Sequence, residues 1–229
     1  NIDTKETKKL SSVQGLSGET TTAIYYNTTF KRLVIGYQNG GIEVVDENNE
    51  ITISSDIVNF NQSGEKSINH ISGFETKLYL STPFGIVVYD IEKLEFGDTY
   101  FIGNNSNAVN INETVIFNNQ IYAATEVGIF NADVSNPLLI DFNNWQQNFS
   151  GRNFKQINAF NNQLITVENT NVFSINGPVL SLIRDFTENV VSIKTSNAHL
   201  SIALPSSGLI LDTSLNLVFQ SLANSEYNC

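Results

Sequence analysis

The groups in this 229-residue chain that could do covalent or acid–base chemistry are one cysteine, two histidines and 23 carboxylates. Cys229 is the last residue, which leaves no internal disulfide and no Cys–His pair built into a loop. No G-x-S-x-G elbow is present, and GLSGE from Gly15 reads as a turn rather than a serine site. His70 and His199 could supply two ligands to a metal, but a metal site asks for three or four, and neither HxH nor HExxH occurs. Both are therefore read as strand histidines, and no metal is expected. Paired carboxylates remain open in principle, yet most acidic residues sit at expected strand ends, where solvated charge is the default. GYQNGG (Gly36–Gly41) lacks the lysine and following helix of a phosphate loop. The chemistry points away from an enzyme, and no cofactor is implied.

The elements that would position these groups are strands. Charged residues are 15% and hydrophobic ones 41%, so a sizeable core is expected rather than disorder. Asn, Ile, Thr, Ser, Phe and Tyr are abundant, which favours strands and turns over helices. A net charge of −11 repels phosphate backbones, so nucleic-acid binding is disfavoured. No apolar run approaches the roughly 20 residues of a membrane span. No signal-peptide pattern opens at Asn1, and methionine is absent, so the chain reads as a mature or excised piece of a longer product. The KETKK run (Lys5–Lys9) reads as a solvated edge, and the Asn-x-Ser/Thr sequons follow from composition.

One word recurs. LVIGYQNGGIEVVD (Leu33–Asp46) returns as LYLSTPFGIVVYD (Leu78–Asp90), IYAATEVGIFNAD (Ile121–Asp133), LITVENTNVFSIN (Leu164–Asn176) and LSIALPSSGLILD (Leu200–Asp212). Its anchors are Gly41, Gly85, Gly128, Asn171 and Gly208, at steps of 44, 43, 43 and 37. Glycine and asparagine at that point are expected to answer a need for positive φ. A strand precedes each pair, from Thr21, Ser67, Glu113, Gln156 and Val191, and a more polar one follows, from Glu50, Phe96, Pro137, Leu180 and Leu215. Four short strands per unit of about 43 residues predict a β-propeller blade. A sandwich does not repeat a four-strand word, and a leucine-rich solenoid has a shorter period. The expected fold is all-β, with about five four-stranded blades over 14–55, 56–102, 103–147, 148–188 and 189–229. The expectation is a portion of a larger propeller; the alternative is a five-bladed ring closed by a strand from residues 1–13.

Propellers bind on loops around one rim of the channel. Here the turns between second and third strands place Tyr37, Asn39, Thr82, Phe84, Thr125 and Glu126 as the ligand-facing candidates. The same residues also suit tight turns with no ligand. Trp145, the lone tryptophan, is expected to plug the gap between blades, with sugar stacking as the sharper alternative.

The words GLSG, AIYYN, LVIGYQNGGIEVVD, SINHI and STPFGIVVYD resemble the N-terminal β-propeller family of PorZ, from the type IX secretion system of Bacteroidetes. The likeness runs from Leu10 to Trp145 and fades beyond Asn148. The two-component-regulator propellers of hybrid sensors share the blade word, but carry Trp or Tyr where this chain has Leu33-Val34. The PorZ resemblance implies an extracytoplasmic, non-enzymatic accessory protein, in the periplasm or at the outer-membrane surface. It implies a sortase-type secretion component or an anionic lipopolysaccharide as partner, with the propeller helping to hand that glycolipid to the sortase. An acidic domain receiving an anionic glycolipid would need a local basic patch, for which Lys31, Arg32, Lys66 and Lys77 are candidates. The alternative is a sensor propeller binding an oligosaccharide.

Overall fold

The computed structural model describes residues 9–61 and 63–221. Cys229 and most of the N-terminal segment considered for ring closure lie outside the described residues. Twenty strands make five four-stranded antiparallel sheets, each in simple chain order. The first blade holds β1 (Thr21–Asn27), β2 (Arg32–Tyr37), β3 (Ile42–Val45) and β4 (Ile51–Ser54). The second holds β5 (His70–Phe74), β6 (Lys77–Thr82), β7 (Gly85–Asp90) and β8 (Glu95–Tyr100). The third holds β9 (Ile111–Phe117), β10 (Gln120–Thr125), β11 (Gly128–Asp133) and the three-residue β12 (Gln146–Asn148). The fourth holds β13 (Gln156–Phe160), β14 (Gln163–Glu168), β15 (Asn171–Asn176) and β16 (Val179–Asp185). The fifth holds β17 (Ser192–Thr195), β18 (Leu200–Ala203), β19 (Gly208–Leu211) and β20 (Leu217–Gln220).

The first strand of each blade lies innermost: β1 packs beside β5, β5 beside β9, β9 beside β13, and β13 beside β17. Among the described residues β17 and β1 do not pack together in this way. Strand alternation sends one face of each sheet toward the blade before and the other toward the blade after. In β7, Val87 and Tyr89 join the core shared with the first blade, while Ile86 and Val88 join the core shared with the third. The hydrophobic core is thus a series of inter-blade layers. Amides clip these layers near the axis. Asn69 Nδ2 donates to the Ile111 carbonyl (2.8 Å), Asn112 Nδ2 to Phe154 (2.7 Å) and Gln156 Nε2 to Val191 (2.8 Å).

Two expectations need correction. Pro137–Asn143 is not the fourth strand of the third blade; it forms turns and a 3-10 segment, and β12 takes the edge instead. Leu139 is pulled under the blade, where its burial outweighs strand pairing. The anchor glycines also serve a different purpose. Only Gly128 has positive φ (142°) among the five anchors. At Gly85 a Cβ would meet the Tyr100 carbonyl oxygen at 2.5 Å, and at Gly128 it would meet that of Asn148 at 2.7 Å. The glycine admits close approach of the outermost strand. The aspartate that closes the third-strand word in four of the five blades caps the next turn: Asp46 Oδ1 accepts the N–H of Asn48 and Glu50, and Asp212 Oδ1 that of Ser214 and Asn216.

Candidate functional site

The β2–β3, β6–β7 and β10–β11 turns carry the six rim residues that the repeat singles out. Four are buried and engaged in building the turns. Tyr37 is 3% exposed and its hydroxyl donates to Glu43 Oε2 at 2.5 Å, while Glu43 Oε1 accepts the Ser17 N–H at 2.7 Å. Burial, reinforced by Glu43, pushes the Tyr37 phenol up to about 12. This buried pair pins the Leu10–Leu16 segment over the first blade, where both leucines pack on Ile35 and Val45. Thr82 and Thr125 donate to the Gly85 and Gly128 carbonyls (2.8 and 2.7 Å), closing their own turns. Phe84 lies in the core between Phe60 and Phe101, with ring centroids 5.8 and 6.4 Å away. Asn39 and Glu126 are exposed at the rim, and Asn39 Oδ1 also accepts the Gly41 N–H.

A second cluster sits at the axis. His70, on β5, places Nε2 3.2 Å from Oε1 of Glu113 on β9. Glu113 Oε2 accepts the Ile157 N–H (2.9 Å) and its Oε1 lies 3.4 Å from Asn158 Nδ2, so one carboxyl ties three consecutive blades. Its side chain is 6% exposed, and the burial raises it to about 7, against the opposing pull of the Ile157 N–H and Lys194. Burial also lowers His70 to about 4, helped by Lys194 of β17. His70 Nδ1 is buried without a hydrogen-bond partner. At neutral pH the pair holds a neutral imidazole beside a carboxyl poised between its two states. It can share a proton, the kind of group that tunes an inter-blade contact. Sequence reasoning gave Glu113 no role, although a carboxylate inside INETVIF is the visible signal. The repeat alone puts it at the strand's first residue, whereas β9 begins at Ile111.

His199 lies exposed in the β17–β18 turn, just before β18 rather than within a strand, whereas His70 opens β5 near the axis. Three of the four candidate cations are engaged within the chain, and the fourth, Lys77, is exposed at the start of β6. Lys31 pairs with Glu47 at 2.8 Å, Arg32 donates to the Ile91 and Glu92 carbonyls, and Lys66 caps Val58 and Phe60 on the other rim. Trp145 is 8% exposed and plugs the gap between the second and third blades, its Nε1 donating to the Leu139 carbonyl at 2.9 Å.

A blade word repeated five times, with loops gathered on two rims around a polar axis, defines this chain as a β-propeller. Residues 1–146 match the model of the type IX secretion PorZ N-terminal β-propeller domain, and the chain belongs to that family. No curated protein sequence matches the chain. Among solved structures it is similar to PorZ of Porphyromonas gingivalis, a surface component of the type IX secretion system. That match has a TM-score of 0.77 at 17% identity, over 93% of this chain and 28% of that one. It is also similar to the extracellular domain of a putative hybrid two-component system of B. thetaiotaomicron, with TM-score 0.67 at 18% identity, over 91% of this chain and 30% of that one. A further structure of that B. thetaiotaomicron extracellular domain gives a TM-score of 0.64 at 16% identity, over 90% and 29%. At these identities the likeness is one of fold. The chain spans under a third of the length of each of these structures.

Proposed function

We propose that this chain is a non-catalytic binding propeller of a type IX secretion accessory protein, working outside the cytoplasm. The observation that carries the proposal is the family match over residues 1–146. Because the chain spans only part of its structural relatives, the first and fifth blades are taken to meet further blades of a larger propeller. The exposed rim around Asn39 and Glu126 is the proposed contact surface, since the buried Tyr37, Thr82, Phe84 and Thr125 hold the turns in place. Two partners fit the family: a sortase-type secretion component and an anionic lipopolysaccharide. The net charge of −11, with Lys31, Arg32 and Lys66 engaged within the chain, favours the protein as the direct contact. The glycolipid would then be handed over elsewhere in the larger protein. No helix of the described residues is long and apolar enough to cross a membrane. A second reading, a sensor propeller that binds an oligosaccharide, is supported by the likeness to the B. thetaiotaomicron extracellular domain.

The test is a pull-down from bacterial envelope extract with the 229-residue chain as bait, probed for sortase-complex proteins and for lipopolysaccharide. Recovery of either, competed by untagged protein and reduced by the double variant N39A/E126A, supports the secretion reading. A folded bait that recovers neither counts against it.

A further inference from the structure

The wedge between the third and fourth blades differs from its neighbours. Tyr89, Ile91 and Phe96 fill the gap between the first and second blades. Val134, Leu139 and Trp145 fill the next, and Ile183, Phe186 and Leu215 the last. Between the third and fourth blades a groove of about 1010 Å³ stays open.

The repeat shows how the sequence keeps it open. Val44 and Val88 occupy the same place on the third strands of the first two blades, facing the blade that follows, and are 2% and 5% exposed. Asn131 takes that place in the third blade and is half-buried. An amide here forgoes the transfer energy of a buried valine, about 1.5–3 kcal/mol. It is held in a relay: Asn131 Nδ2 donates to Gln120 Oε1 (3.0 Å), and Asn148 Nδ2 donates to Asn131 Oδ1 (2.8 Å). Gln146 presents a further amide to the same groove. Tyr122 and Phe149 add ring faces, with Phe149 at φ 53° and braced edge-on by Phe154 at 6.0 Å. That φ is unfavourable for an aromatic residue and is sustained by the packing around it. No charged side chain lines the groove, in a chain that carries a net charge of −11.

We propose that this wedge is a binding groove for a neutral oligosaccharide. A side-chain amide places a donor and an acceptor side by side, which matches vicinal hydroxyls. Ring faces accept the C–H faces of sugar rings, and hydrogen-bonded amides arrive already oriented. The volume lies at the upper end of the roughly 300–1,000 Å³ usual for ligand sites, which suits several linked rings. A peptide fits less well, because peptides are read through free strand edges. The outer edge of β11 is already paired with β12, Ile129 opposite Asn148 and Asn131 opposite Gln146, and the edge left on β12 is only three residues long. The β9–β10 and β15–β16 turns border the groove, so it opens on the rim opposite Asn39 and Glu126. The inference does not depend on the secretion reading.

The test is nitrogen-15 NMR of the 229-residue chain titrated with neutral hexasaccharides of glucose (α- and β-linked), mannose, galactose and xylose. The expected result is saturable movement of the Asn131 and Asn148 side-chain amide signals by at least one of them. N131V, which copies the second blade, and Q146A, at an exposed position, should each weaken that binding about tenfold, the loss of one or two hydrogen bonds. E65A, at an exposed position between the first and second blades, should leave it unchanged. The proposal is overturned if no hexasaccharide moves these signals. It is equally overturned if binding survives both groove variants, or if an uncharged peptide pool gives the same shifts more tightly.

Discussion

Glu113 and His70 form an inter-blade contact whose two members titrate in opposite senses. Glu113 is raised in the fold from 4.5 to about 7, so its contribution is fully present below pH 4.5 and is lost as pH rises through 7. His70 is lowered from 6.5 to about 4, so its contribution is present above pH 6.5 and is lost as pH falls through 4. Between pH 4.5 and 6.5 the two slopes oppose each other and nearly cancel. Lys194 is the other charged group facing both. Single substitutions should therefore uncover what the pair conceals. Denaturant unfolding of E113Q is expected to show stability rising from pH 4 to 6.5, with a slope of up to about 1.4 kcal/mol per pH unit. H70Q should show the mirror image, stability falling from pH 4.5 to 7. Parallel profiles for wild type and both variants would mean that these groups do not titrate as their burial requires. From sequence, a carboxylate in a strand reads as surface charge; only the convergence of β5, β9 and β13 makes Glu113 a buried bridge.

At the level of elements, the glycine that opens the third strand was legible as a repeat, but its duty was not. Gly85 and Gly208 look equivalent in the repeat and differ in the fold. G85A would drive a Cβ into the Tyr100 carbonyl, a backbone atom that cannot step aside, and should cost about 1–3 kcal/mol as overpacking. At Gly208 the nearest atom to an added Cβ is 3.7 Å away and φ is not positive, so G208A should stay within about 0.5 kcal/mol of wild type. Equal costs in urea titrations would refute the close-approach account. Trp145 is the counterpart on the filling side. W145A empties the wedge that the Tyr100 ring shares, at a centroid distance of 6.2 Å, and should cost about 3–5 kcal/mol. A loss under about 1 kcal/mol would show that the plug is dispensable. Sequence reasoning placed Trp145 correctly because a lone tryptophan after a polar run has few other uses. It misplaced the strand beside it, since PLLIDFN has strand composition and becomes a turn when Leu139 is drawn inward.

For the whole molecule, an excess of eleven negative charges is spread over a body held by apolar layers rather than ion pairs. The salt bridges of the described residues are few; apart from the His70–Glu113 contact, the most enclosed joins Arg152 to Glu168, with the guanidinium also 4.9 Å from the Phe173 ring. Net self-repulsion should therefore outweigh local pairing. Raising NaCl from about 0.01 M to about 0.5 M shrinks the screening length from about 30 Å to below 8 Å and is expected to raise Tm. A fall in Tm under the same change would mean that pairs such as Arg152–Glu168 outweigh the net self-repulsion.

The sequence by itself determined the architecture. A period of about 43 residues, with apolar alternation, an anchor glycine and a closing aspartate, is information local to each unit, and strand pairing within a blade follows from neighbours in the chain. What lies between blades is decided by residues tens of positions apart. Glu113 bridging His70 to Ile157, and the open wedge where Asn131 replaces a valine, both belong to that second kind. Their environments are set by the angle at which one sheet meets the next. That angle exists only once the blades have packed.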